Sequence, residues 1–384
     1  MFVNRQALSI HSEIIQEVLI MEYRLNRKTG DRISVIGIGS SCIAEASEKE
    51  TVAALLLAYE NGVNYADLAA AGAKTFSYYG TAYSDLRKEM LYQVHFGANY
   101  ETGEYGWTTN LEKIKRQIDW MLRSLKTDYV DYGFIHCLDT EKDWKNYREN
   151  GVLEYLLDMK RQGVVRHIGL STHTPELASL VLDAGIAEQL MFSINPGYDY
   201  HHGDFANGSA DERMNLYRRC EAEGVGISVM KPFSGGQLLD AKTSPFRRPL
   251  TRYQCIQYAL DKPGVLTVLP GIRNEEDVRE LLGFFDAAPE KRDYSILGTF
   301  TPQDAIGNCV YCNHCQPCPV GLNVGLINKY YDLSLAGDTM AADHYTKLEK
   351  HASDCVDCGH CNDRCPFKVK QSERMKKIAE YFGK

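Results

Sequence analysis

Eight of the chain's twelve cysteines fall in two short runs near its C-terminal end, and their spacing narrows what that region can fold into. Cys309, Cys312, Cys315 and Cys318 form CxxCxxCxxC before Pro319, and Cys355, Cys358, Cys361 and Cys365 form CxxCxxCxxxC before Pro366. Thiols this dense and regular suit a thiolate-bound metal in a reducing compartment better than disulfides. The second run is that of bacterial ferredoxins, in which three cysteines wrap one cubane and the fourth, before proline, reaches the neighbouring cluster. The expected pairing puts Cys309, Cys312, Cys315 and Cys365 on one 4Fe-4S cluster, and Cys355, Cys358, Cys361 and Cys318 on the other. Two zinc sites are the alternative, although zinc generally takes separated CxxC pairs. Helical composition between the runs favours a mostly helical dicluster module.

The remaining length calls for a second, larger unit. The chain has 384 residues, 24% of them charged, with a net charge of −8. Its mild acidity argues against nucleic-acid binding. No apolar run is long enough to span a membrane, and the start lacks a convincing signal peptide. A cytoplasmic protein is expected. Met1–Ile20 is either a short helix or the product of a start assigned too early.

From residue 33 to 285 strand and helix signals alternate. Strands are expected at Ile33–Gly39, Asn64–Asp67, Met90–Phe96, Tyr129–His136, Val165–Ser171, Leu190–Asn195, Gly226–Met230 and Leu266–Leu269. Helical periodicity follows nearly all of them, for example Leu111, Ile114, Ile118, Met121, Leu122 and Leu125. This rhythm predicts an α/β fold, a (β/α)8 TIM barrel at residues 21–288. A linker at 289–301 and a ferredoxin-like domain at 302–384 follow. A doubly wound sheet is the competitor, but Gly37-Ile38-Gly39-Ser40-Ser41-Cys42 lacks the third glycine of a dinucleotide fingerprint. Lys368–Lys384 reads as a solvated helix. The four scattered cysteines, Cys42, Cys137, Cys220 and Cys255, read as small buried hydrophobes.

Barrel chemistry sits at the C-terminal strand ends, here Asp67, His95, His136, Ser171, Asn195, Lys231 and Gly271. Asn64-Tyr65-Ala66-Asp67, Asp128 through His136, His167 through Ser171, and Leu269-Pro270-Gly271 resemble motifs of the aldo-keto reductase family. Met230-Lys231-Pro232-Phe233 with Gly235-Gly236 is similar to members carrying an appended iron–sulfur module. The resemblance implies an oxidoreductase exchanging hydride between NAD(P)H and a small carbonyl or alcohol. A Tyr would donate the proton, a Lys paired with Asp would tune it, and a His would orient the carbonyl. Asp67 and His136 match two of these roles. His95 stands near the place of the Lys, and Tyr79, before Gly80, is the candidate Tyr, with Tyr78 and Tyr83 competing. Ser171, Thr172, Asn195, Lys231, Gly235, Gly271 and Arg273 would hold NADP or NAD, although Asp277 takes a position often occupied by the Arg that binds the 2′-phosphate.

Each cluster passes one electron, whereas a hydride carries two. Ferredoxin- or flavin-linked electron transfer, with flavin as a possible cofactor and an electron-carrier protein as partner, is therefore an alternative. So is a metal-dependent barrel using Asp67, His95 and His136 as a facial triad, and so is a non-catalytic electron-transfer or interaction protein. His201-His202 is expected in a solvated loop, with a substrate lid as the sharper reading.

Overall fold

The structure, a computed structural model, describes residues 21–43, 46–199, 206–299, 307, 309, 315–335, 339–365 and 368–384. Met1–Ile20, His201-His202, Cys312 and Pro366 lie outside these residues.

Eight parallel strands follow one another in chain order around a single sheet: β1 (Ile38–Gly39), β2 (Tyr65–Asp67), β3 (Leu91–Phe96), β4 (Val130–Ile135), β5 (Val165–Ser171), β6 (Gln189–Ser193), β7 (Gly226–Met230) and β8 (Val265–Val268). Parallel bridges Ile36↔Val268 and Gly39↔Gly271 close it. Gly37 N donates to Val268 O and Gly39 N to Pro270 O, each at 2.9 Å. The expected (β/α)8 barrel is the observed one.

The expected first strand splits in two. Arg32–Ser34 pairs antiparallel with Tyr23–Leu25 as a hairpin, and the stretch from Ile36 to Gly39 joins the barrel. The hairpin is tied to the barrel by Arg24, whose Nη1 donates to Leu260 O and Val265 O at 2.7 Å. Two further helices appear that periodicity did not indicate, Lys74–Tyr83 and Glu141–Glu149. The first packs closely on helix Leu111–Ser124: a Cβ on Gly80 would lie 2.1 Å from Ser124 O. The second starts at Thr140, whose hydroxyl accepts from Asp143 N as an N-cap. The described part of the expected linker, 289–299, makes contacts with the barrel. Pro289–Arg292 forms a short helix, Tyr294 donates to Asp261 at 2.7 Å, and Leu297 joins the barrel core.

Inside the barrel a polar layer lies under the mouth. Tyr65 donates to Gln93 Oε1 at 2.6 Å, Gln189 Nε2 donates to Tyr65 at 2.6 Å, and Ser228 Oγ donates to Gln93 Oε1 at 3.1 Å. These bonds meet the demand of buried polar groups. They also fix Gln93 so that its Nε2 donates upward to Asp67 Oδ1 at 2.9 Å.

The C-terminal module packs helices Val324–Leu335, Thr339–Thr346 and Gln371–Phe382 around Ile327, Leu333, Ala341, Tyr345, Met375 and Ile378. The last helix is therefore docked on one face, not solvated all round. The module covers part of the barrel's C-terminal mouth. Tyr198, after β6, joins its core. Lys329 donates to Asn207 Oδ1 at 3.4 Å, and a Cβ on Gly235 would lie 3.2 Å from Leu333 Cδ2. Among the described residues no helix is long and apolar enough to cross a membrane.

Candidate active site

The ends of β2, β3 and β4 and the loop after β3 build a line of hydrogen bonds. Asp67 closes β2, and its Oδ1 lies 2.6 Å from His95 Nε2. His95 Nδ1 lies 2.9 Å from His136 Nδ1, just after β4. His136 Nε2 lies 2.8 Å from the hydroxyl of Tyr105. Alternation within β3 explains why Gln93 and His95 both point inward, two residues apart. Asp67, His95 and His136 are buried; Tyr105 keeps a partly exposed edge.

Burial, together with His95, Lys347 and His344, pushes the His136 imidazole well below its usual pKa, so it is neutral at rest. Loss of hydration raises the Tyr105 phenol well above its usual value, with Cys137 and Tyr100 adding to the effect. Both nitrogens of His95 are spent on neighbours. Asp67, His95 and His136 thus form a line rather than converging on a point, and this geometry does not build the facial triad considered from sequence.

Tyr79 does not join this line. It is fully buried, its hydroxyl 2.9 Å from Ser40 Oγ, and burial raises its pKa far above the usual value. Ser40 in turn donates to the backbone carbonyl of Asp67 at 2.5 Å. The Tyr79-Gly80 pair reflects helix packing, since Gly80 is where two helices touch. Tyr78 packs against the core and Tyr83 donates to Leu55 O at 2.5 Å. The tyrosine at the site is Tyr105, which sequence reasoning missed. It too precedes a glycine, Gly106, in a loop that returns over the mouth because Ala98–Asn99 pairs with Gly106–Trp107. Trp107 Nε1 donates to His136 O at 3.2 Å and helps fix that histidine.

The expected dinucleotide residues divide into two groups. Lys231 stands with φ +55°, ahead of Ser234, Gly235 and Gly236, also left-handed at +52°, +62° and +89°. A cation beside such a tight turn fits a pyrophosphate. The other expected residues face protein groups in this structure. Thr172 donates to Asp139 Oδ1 at 3.0 Å. Asn195 Nδ2 donates to Lys231 O and its Oδ1 accepts from Tyr198 N. Ser171 is buried at the end of β5. The Arg273 side chain makes two bonds to the carboxylate of Asp277, at 3.0 and 3.2 Å, and its backbone N–H a third at 2.9 Å. Despite partial burial, this pairing holds the Asp277 carboxyl below its usual range. Gly271 packs under Cys42.

In the module, Cys315 and Cys318 of the first run line the same small cavity as Cys355, Cys358 and Cys361 of the second. Near the start of the last helix Gln371 Nε2 donates to Cys309 Sγ and Val369 N to Cys365 Sγ, both at 3.4 Å. This donor set, all thiols, fits iron–sulfur clusters.

Between barrel and module lies a cavity of ≈ 840 Å³. Trp107, Cys137, Asp139, Lys329, His344 and Lys347 are among its lining residues. Tyr105 stands two residues before Trp107 and within electrostatic reach of Cys137 and Asp139. Cys137, read from sequence as a small buried hydrophobe, is buried and also lines this cavity, with Sγ 3.6 Å from His344 Nε2.

Fold and site together define a redox barrel with an appended iron–sulfur module. The chain belongs to the aldo/keto reductase family, whose model matches residues 35–252, and a 4Fe-4S dicluster domain matches residues 305–369. It is an oxidoreductase. It is 29% identical to the uncharacterised oxidoreductase YqkF of Bacillus subtilis, over 71% of this chain and 94% of that protein. It is 25% identical to L-galactose dehydrogenase of Arabidopsis thaliana, over 57% of this chain and 68% of that protein. Among solved structures, an aldo-keto reductase from Bacillus halodurans in its holo form matches with a TM-score of 0.59 at 20% identity, covering 74% of this chain and all (100%) of that one. An aldo-keto reductase from Klebsiella pneumoniae in complex with NADPH matches at 0.54 and 18%, covering 74% and 98%.

Proposed function

We propose that the barrel interconverts a small polar carbonyl compound and its alcohol, with Tyr105 as the proton-exchanging group and Asp67–His95–His136 as the relay behind it. The observation that carries this reading is the unbroken line of hydrogen bonds from Asp67 to Tyr105, a residue whose hairpin neighbour Trp107 lines the cavity. A nicotinamide dinucleotide anchored by Lys231 and the turn through Gly235, with Gly271 and Arg273 beyond, would supply the hydride.

The line has two proton arrangements. In the first, Tyr105 donates to His136 Nε2, His136 Nδ1–H donates to His95 Nδ1, and His95 Nε2–H donates to Asp67. In this arrangement both histidines are neutral. In the second, one extra proton makes His95 an imidazolium paired with Asp67. His95 Nδ1–H then donates to His136, His136 Nε2–H donates to Tyr105, and the phenol proton is released toward the substrate oxygen. Giving that proton away returns the line to the first arrangement. A phenol with a raised pKa can work in this way because it is reprotonated from behind as it donates.

The sign of the pH dependence follows. Reduction needs the extra proton and should slow as pH rises; oxidation needs the site empty of it and should speed up. Turnover in both directions, measured anaerobically across pH 6–10 with NADH and NADPH, tests this. An aldose belongs in the substrate panel because one similar protein is an L-galactose dehydrogenase. Parallel or flat profiles in the two directions would remove the relay. For the module, we propose that its eight cysteines, Cys312 included, hold two 4Fe-4S clusters in the interleaved pairing expected from the sequence. The clusters would suit one-electron exchange with a carrier protein.

A further inference from the structure

The seam between barrel and module gathers a second set of ligand-type side chains that the proton relay does not use. Cys137 follows β4, Asp139 comes two residues later, His173 follows β5, and His344 comes from the module helix Thr339–Thr346. One ligand atom each from Cys137, Asp139 and His173 lie within 4.8 Å of one another. Cys137 Sγ is 3.6 Å from His344 Nε2. A thiolate sulfur and an imidazole nitrogen on one tetrahedral zinc ion stand about 3.5 Å apart. Cys137, His173 and His344 are buried, and Cys137, Asp139 and His344 line the cavity.

The supporting bonds are those a metal-bound histidine needs. His173 Nδ1 lies 2.8 Å from Asp139 Oδ2, and Asp139 Oδ1 accepts from His173 N at 2.6 Å and from Thr172 Oγ1 at 3.0 Å. A carboxylate that holds one ring nitrogen orients the other toward a metal. Cys137 has φ +48°, a left-handed conformation that non-glycine residues adopt at a cost and that collects at functional sites. That turn lets adjacent residues serve different tasks: His136 bonds to His95, while Cys137 faces the cavity. Cys220 and Cys255, by contrast, are packed in the apolar barrel core.

We propose that Cys137, His173 and His344 bind one borderline divalent ion, zinc in the first instance, with Asp139 as a fourth ligand or as the carboxylate that orients His173. A mixed thiolate–imidazole set selects such an ion over magnesium or calcium. Its ligands come from both structural units, so the ion ties the module to the barrel. With Asp139 in the orienting role only three protein ligands would hold the ion, leaving a fourth position for a water or substrate oxygen.

The test uses the anaerobically purified full chain with its clusters, produced in zinc-supplemented medium. X-ray absorption at the zinc edge is blind to cluster iron. It should show about one zinc per chain, with one sulfur at about 2.3 Å and two or three nitrogen or oxygen neighbours at about 2.0–2.1 Å. Cys137→Ser and His344→Gln should each lose zinc to a competing chelator at least about tenfold more readily, while iron and acid-labile sulfide stay unchanged. Absence of zinc would overturn the proposal. So would zinc in an all-sulfur environment that persists in Cys137→Ser, because that zinc would occupy cluster cysteines. The readout is metal content and coordination rather than turnover, so failure here leaves the reading of Tyr105 standing.

Discussion

Tyr105→Phe separates the observed site from the one that the Tyr-Gly pattern suggested. The change removes one oxygen and keeps the ring. Its edge contacts with Tyr100 and His136, at centroid separations of 6.1 and 5.8 Å, therefore survive. The hydrogen bond lost is the 2.8 Å one to His136 Nε2. With the edge of Tyr105 open to water, the stability cost should stay near 1 kcal/mol, the net value of a typical intramolecular hydrogen bond. The catalytic cost should be much larger. A positioned acid contributes about 10²–10⁴-fold, equivalent to roughly 2.7–5.5 kcal/mol of barrier. Tyr79→Phe removes a hydroxyl bonded to Ser40 and should cost about 1 kcal/mol of stability, with turnover unchanged within about threefold. The assay is anaerobic steady-state reduction at saturating cofactor, with iron content and unfolding midpoint measured on the same preparations. A large loss in Tyr79→Phe with full activity in Tyr105→Phe would refute the assignment of the proton donor.

Two further outcomes are expected. Cys318→Ser should remove the cluster held by the second run, lowering iron from about eight to about four per chain. Its residual spectrum should match Cys358→Ser and differ from Cys309→Ser; a match to Cys309→Ser would reverse the pairing. At the other end of the barrel, Glu188 is partly buried, yet its bonds from His167, Lys160 and Ile168 N push its carboxyl down to about 2. A carboxyl lowered on folding contributes stability above its unfolded pKa and loses it as pH falls through the folded one. Glu188→Gln should therefore cost about 1–2 kcal/mol at pH 7, discounted for partial exposure. In denaturant melts the gap to wild type should start to close below about pH 4.5; a gap absent at pH 7, or constant down to pH 3.5, would contradict this.

The chain's sequence determined those features that depend on local spacing. The two cysteine runs can wrap clusters because only two or three residues separate adjacent ligands, and no distant contact is needed to see it. The barrel was legible because each strand and helix carries its own periodicity, and parallel strands joined by helices close in few ways. Asp67, His95 and His136 stood out as polar residues ending strands. Tertiary structure alone decided which tyrosine meets them. Tyr79 is close in sequence to Asp67, but Gly80 commits its helix to packing, whereas Tyr105 returns from a hairpin whose pairing no local pattern announces. The same holds for Cys137 and His344, which are 207 residues apart. Nothing near either residue marks it as a ligand. They become neighbours only because the module docks over the barrel mouth through Tyr198, Gly235 and Leu333, and such docking follows from the shape of two finished surfaces rather than from the spacing of residues along a chain.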